Sequence, residues 1–558
     1  AAADIDVTDL AAGSFVSLSA GGDLLAASAT SGGSLSASAG GAVTLASADS
    51  GGAIFVSAGD AAALGTLQAA FGIDISGADI VLTSATAGGD ITLSSSGDID
   101  VGFAEAGDDF VASAGGTFTG GTVVTTGLGF DNEAGYGGLG GEGSNIIVDA
   151  VGNLRLDNGN AVDSIRLTSA TGSIFSDGTL QAIRLSGDAA FDIALTDVFV
   201  VEDLNLTTTN GSIGGNSFNS DGNIVLDASD AINLSAANAG GDFNAVAGGT
   251  FTGGTIGAGA NITVASGGNL RLDNGTAADL IQLSSAAGSI LSDGTLQAAE
   301  LTADAALDLA LNDVIVTAPL TLSANNGEIQ GGSFRSDGDI ALTASGAATL
   351  ADLQSGGAIS VAAGGDVGIG AAQATGQFSV TGGGDGTFGA INAASAAIDV
   401  AGNAAFQGPV GGTSVSASSS DIDISGTGGL GNSGTQLVSL TVRPTGQQAV
   451  IGGGAEGPGY TLTNAEAGRI TARTLRIQAP PTGTAPNRPP DVLLRDLSLA
   501  AGAGGRIGLF EFATGGIAQV EGAVLMTNAG ANDGISLRAD QRLQIVTPAG
   551  SVRVRDSA

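Results

Sequence analysis

The chain has 558 residues and a formal charge of −39, with 55 acids against 16 bases, every base being Arg, and it has no Cys, His or Trp. Disulfides, thiol and imidazole chemistry and Cys/His zinc sites are thereby excluded, and a field this acidic repels phosphate backbones, so no nucleic-acid partner is expected. With 96 Gly and only 4% aromatic residues, the composition predicts one repeating architecture around a narrow aliphatic core.

The repeat runs from the start. The opening AAADIDV, without Met or a charged-then-apolar leader, is read as a processed chain or a segment of something longer. Double glycines at Gly21-Gly22, Gly32-Gly33, Gly40-Gly41 and Gly51-Gly52 alternate in steps of eleven and eight. Between them lie alternating segments such as Phe15-Val16-Ser17-Leu18-Ser19 and Ile54-Phe55-Val56-Ser57, the period-two pattern of strands with one buried face. Val16, Leu35 and Ile54 are each nineteen residues apart. Glycine at the corners is expected to supply positive φ. Helix is excluded because Gly, Ser, Thr and Asp are poor in helix interiors and the apolar period is two. Disorder is disfavoured by 43% hydrophobic residues at fixed spacing.

Two acid pairs draw attention, Asp98-Ile99-Asp100 and, far downstream, Asp421-Ile422-Asp423. Each is expected to set two carboxylates on one strand face, a spacing compatible with glycoside hydrolysis or a cation site. In a chain with 55 acids such pairs arise by composition alone, so no catalytic, cofactor or metal residue is assigned and the chain is expected not to be an enzyme. Ca2+ is expected to associate only weakly. The stretch GGGDGTFGA from Gly382 to Ala390 matches the calcium β-roll repeat only in part.

A larger duplication is superimposed on the coils. Asn153 to Gly159 returns at Asn269 to Gly275, and Ser173 to Ala182 returns at Ser289 to Ala298, each offset by 116 residues. The copied region is about 153–249, repeated at 269–365. Gly115 to Thr122 returns at Gly248 to Thr255 with an offset of 133, so the first copy carries seventeen extra residues. These fall in an insertion at about 124–144, read as a loop. Loops leaving a rigid scaffold often carry binding residues, which makes Phe130 and Tyr136 the contact candidates.

The clearest coils run from Ser336 to Ile369. Ile340 to Ile359, Leu342 to Val361 and Leu350 to Ile369 each span nineteen residues. Stacked coils require such a fixed repeat. The fold class is therefore all-β, a right-handed parallel β-helix (β-solenoid) with about 19 residues per coil, handedness following the preference for parallel crossovers. Roughly 29 such coils stacked about 4.8 Å apart would make a rod on the order of 140 Å long. Near residue 443 the composition changes: residues 1–442 hold five Arg and 46 acids, whereas 443–558 hold eleven Arg and nine acids. The second region also has eight of the ten prolines, with a loop expected around TGTAPNR. It is read as a solenoid continuation or a docking region.

The stretch DGDIALTASGAATLADLQSGGAISVAAGGDV resembles the filamentous haemagglutinin-like exoproteins, bacterial adhesins secreted by the two-partner route. The resemblance covers most of residues 1–442. It implies an extracellular, cell-surface protein of a gram-negative bacterium, used in attachment or biofilm growth and exported through an outer-membrane secretion partner. Its expected partners are surface glycans or cells, or further copies of itself. Two alternatives stand beside the adhesive reading: a filament or surface-layer subunit joined head to tail through solenoid ends, and, more remotely, a polysaccharide-acting β-helix enzyme.

Overall fold

The computed structural model describes residues 3–127, 143–454, 456–481, 489–500, 507–529, 533–546 and 551–556. Contacts divide the chain into two units, Ala1–Asp279 and Leu280–Ala558. Both are parallel β-solenoids, and coils of about 19 residues number about 22.

In the first unit most coils have an eight-residue strand and a five-residue strand, as in Leu24–Ser31 and Leu35–Ala39. Leu35, Ala37 and Ala39 point inward and are buried, while Ser36 and Ser38 point outward. The long strand changes phase midway: Leu24 and Ala26 face in, then Ala29 and Ser31. Two successive outward residues bend the strand there, and the ladder skips Ala27, pairing Ala26 with Leu45 and then Ser28 with Ser47. Each coil therefore wraps its core with three short segments. Stacking is in register: Val16 lies opposite Leu35, and Leu35 opposite Ile54.

The corners do not use glycine as expected. Among the described residues, left-handed glycines are Gly127, Gly426, Gly431, Gly446, Gly452, Gly453 and Gly522, at the insertion or after the regular coils. Corner glycines answer instead to the close approach of one coil to the next. A Cβ on Gly32 would stand 2.4 Å from the Gly13 carbonyl oxygen, and one on Gly51 2.6 Å from that of Gly32.

Two side-chain ladders satisfy the corner backbone. The first is built from buried hydroxyls, since a buried polar group without a partner is costly. Ser50 Oγ donates to Gly33 O at 2.7 Å and accepts the Gly52 N–H at 3.2 Å. Ser355 does the same with Gly338 O and the Gly357 N–H, at 2.7 and 3.0 Å. The second ladder uses Asp and Asn. Asp79 Oδ1 accepts the Asp98 N–H at 2.9 Å, and Asp98 Oδ1 accepts the Thr117 N–H at 2.8 Å. Asp203, Asn223, Asp242 and Asn261 continue the pattern over further coils at 2.8–3.1 Å.

Core volume is conserved within a coil. In the strand Ile213–Ser220 the inward positions include Gly215 and Phe218, and a Cβ on Gly215 would meet the Phe218 ring at 2.3 Å. Gly331 and Phe334 repeat the pairing, at 2.4 Å. At the corresponding positions the strand Ile80–Ala87 carries Leu82 and Ala85. Edge-to-face phenylalanine pairs recur too, Phe110 with Phe118 at 6.3 Å and Phe243 with Phe251 at 6.4 Å, matching the 133-residue offset in the sequence.

The second unit begins with the same coils. The duplication extends to irregularities: the ladder shifts between Ser176 and Thr179, and again between Ser292 and Thr295. From residue 403 the long strand splits into Asn403–Phe406 and Pro409–Gly411, then Asp421–Ile424 and Gly429–Leu430. Later coils lengthen. Ser414 pairs with Leu437, Leu437 with Thr474, Ala472 with Ile507 and Leu509 with Gly534, steps of 23, 37, 35 and 25 residues. Twenty-nine uniform coils was thus an overestimate, because the last coils carry three separate strands, such as Ala472–Ala479, Val492–Arg495 and Ser498–Ala500, with longer connections. The proline-bearing segment 482–488, expected as a loop, lies outside the described residues.

Candidate functional site

The two acid pairs fare differently. Asp98 is not on the strand with Asp100; it precedes Ile99–Ala106 and belongs to the corner ladder. The Thr117 backbone N–H, followed by its side chain, holds the Asp98 carboxyl below its ordinary value. Asp421 and Asp423 do share the strand Asp421–Ile424.

Around that strand several acids gather. Asp421 Oδ1 accepts the Ile422 N–H at 2.9 Å and the Thr461 N–H at 2.8 Å. Glu466, 5% exposed, closes a capping box with Thr463 on the short helix Asn464–Ala467. Its Oε1 also accepts the Ile424 N–H at 3.0 Å. Burial pushes Asp421 up from its ordinary value, and it does the same for Glu456, with Glu466, Asp421 and Asp423 adding to the rise. The Tyr460 phenol is fully buried and held protonated by burial, then by Asp421 and Glu466. Asp421 and Glu466 fasten backbone segments about forty residues apart together, and among the described residues no group of three or more converges as a metal site.

A groove of about 300 Å³ lies on the short-strand sheet of the first unit, lined by Asn145, Asp163, Ser164, Arg166, Arg184 and Asn205 among others. It borders the insertion. The coil carrying the insertion keeps its register, Phe110 opposite Ile146 and Phe118 opposite Leu154, so the seventeen extra residues leave the stack intact. Asn145 Nδ2 donates to Gly143 O at 2.7 Å, tying the returning chain to the groove. The contact candidates Phe130 and Tyr136 themselves lie outside the described residues.

The groove holds two of the four arginines in the first unit. Arg184 Nη2 pairs with Asp163 Oδ1 at 3.0 Å and its Nε approaches Glu202 Oε2 at 3.7 Å. Arg166 Nη2 pairs with Asp149 Oδ2 at 2.9 Å. A pair between two exposed side chains, such as Arg166 with Asp149, is worth about 0–1 kcal/mol, so a ligand carboxylate or hydroxyl can replace Asp149 at little cost; Asp163 is the more enclosed partner of Arg184. Sequence reasoning missed these arginines. Their rarity in residues 1–442, five against 46 acids, was the signal available. Comparison with protein-family models, with curated proteins and with solved structures finds no match.

Proposed function

We propose that the chain is a non-enzymatic structural and adhesive solenoid displayed at a bacterial cell surface, with the arginine-bearing groove beside the insertion as one contact face. The observation that carries this reading is the coupling of rigidity to variation: an insertion enters one coil while the ladders that flank it keep their register, and its root borders a groove lined by two ion-paired arginines. A scaffold of satisfied coils is suited to presenting such local features to large partners. The resemblance to the haemagglutinin-like exoproteins points the same way.

The test is adherence of cells to the immobilised chain, compared with the Arg166→Ser/Arg184→Ser variant. Both changes fall on outward positions, so folding should persist, with an unfolding midpoint close to wild type. Retention of cells by the wild type and clearly weaker retention by the variant is expected. Equal retention removes the groove from the contact face, and no retention by either chain contradicts the adhesive role.

A further inference from the structure

The second unit contains a different groove, formed where the long strand splits. Upstream of it an outward column of amides runs coil by coil, Gln354 opposite Gln373 and Gln373 opposite Asn392. The column then loses its side chains. Asn392 lies opposite Gly411, and in the next coil, where Val410 pairs with Leu430, the position is Gly431. Asn432 follows immediately. The gap is a groove of about 400 Å³ lined by Asp352, Gln373, Asn392, Pro409, Gly411 and Asn432 among others.

Its polar groups are placed and available. A Cβ on Gly411 would stand 3.0 Å from Asn432 Nδ2 and 3.8 Å from Asn392 Oδ1, so an amide donor and an amide acceptor converge on the space that this glycine leaves open. Asn432 is held in position: its Oδ1 accepts the Gly434 N–H at 2.8 Å, and its own N–H donates to Thr435 Oγ1 at 2.9 Å. Thr435 is buried. Neither the Gln373 nor the Asn392 side chain bonds to another described residue. Asp352 retains acceptor capacity beside the one bond it takes from Gln354 Nε2 at 2.8 Å.

The lining selects a ligand class. It has no cationic side chain and one carboxylate, within a chain of net charge −39, so anionic ligands are repelled. Ala371, Ala390 and Pro409 supply flat apolar surface. Uncharged amides over a small apolar floor match a ligand that alternates hydroxyls with C–H faces. We propose that this groove binds a neutral saccharide chain, with Asn392 Oδ1 and Asn432 Nδ2 engaging neighbouring hydroxyls of one ring and Gly411 leaving room for that ring. The site is independent of the arginine groove of the first unit.

The experiment is binding of the purified full chain to an array of neutral and acidic glycans, alongside Gly411→Leu, Asn392→Ala and the control Ser379→Leu. Gly411 does not use left-handed backbone, and the nearest atom its new side chain would meet is the end of the Asn432 side chain, so folding should persist; unfolding midpoints check this. Ser379 lies on the short-strand sheet of the same unit, opposite Ser360. The wild type and the control are expected to bind a set of neutral glycans, with Gly411→Leu and Asn392→Ala weaker by about tenfold or more. Neutral-glycan binding unchanged in both groove variants overturns the site. Binding of acidic glycans alone, or of no glycan by the folded chain, overturns the ligand class. Cell adherence measured separately would survive either result, which keeps this proposal distinct from the adhesive role.

Discussion

At the residue scale, small side chains carry much of the specification. Gly215 and Phe218 share one layer of the core, so each is the condition for the other. Phe218→Ala should cost about 3–5 kcal/mol through the cavity it leaves, and Gly215→Leu about 1–3 kcal/mol or more through overpacking. The double variant reproduces the Leu82 and Ala85 pattern of the strand Ile80–Ala87 and should recover most of the combined loss, a large favourable coupling in a denaturation cycle. Additive losses would mean the two positions do not share volume. Asp421 offers a test with pH. Its carboxyl is raised above the ordinary 3.8 by burial, so between those values the folded chain binds more protons than the unfolded one, and stability falls as pH rises through the window. Asp421→Asn keeps an Oδ1 acceptor for Ile422 and Thr461 while removing the charge. Its thermal midpoint at pH 7 should equal or exceed that of wild type, with a smaller gain on acidification; a lower midpoint would show that the charge itself holds the two N–H groups. Asp98 works in the opposite sense, since its lowered carboxyl contributes stability that is lost as pH falls. These roles were hidden in the sequence. Gly-Asp pairs such as Gly22-Asp23 and Gly97-Asp98 were visible in the sequence, but whether such an Asp faces solvent or the next coil's N–H depends on stacking.

At the scale of elements, the sequence was most informative where the period was constant. Ile340 pairs with Ile359, Leu342 with Val361 and Leu350 with Ile369, as their spacing required. The flanking repeats also keep their phase, Phe110 opposite Ile146 and Phe118 opposite Leu154, while most of the loop expected at 124–144 lies outside the described residues. What could not be read was the enlargement after residue 403. Once strands shorten to three or four residues and coil steps range from 23 to 37, no fixed spacing survives. For the same reason the groove between Asn392 and Asn432 was invisible, since one of its two coils is no longer nineteen residues long. Coil integrity can be tested by excision. Removing residues 340–358 joins Asp339 to Ile359, its partner position one coil on, and the shortened chain should keep β-sheet circular dichroism and cooperative unfolding. Removing residues 340–349 joins Asp339 to Leu350 out of phase and should abolish cooperativity. Equal tolerance of both deletions would be incompatible with a coil register.

At the scale of the whole molecule, the charge of −39 is carried in more than one structural setting. Part of it sits in the Asp corner ladders, where the side-chain oxygen replaces a hydrogen bond that water would otherwise make. Other acids, such as Asp74 and Asp227, lie on outward strand positions, where like charge opposes sheet association. Acidification toward the isoelectric point near 4.1 should therefore bring self-association, seen as rising light scattering that reverses when pH is restored; solutions that stay monodisperse through that range would show that charge does not keep the chains apart. The same charge sets the control for function, because an acidic surface alone alters how proteins meet cells. The decisive measurement is retention of chain-coated beads on a cell layer at physiological salt, against beads coated with an unrelated protein of equal negative charge. Retention well above that control is expected of an adhesive solenoid, and retention no greater than the control would contradict it.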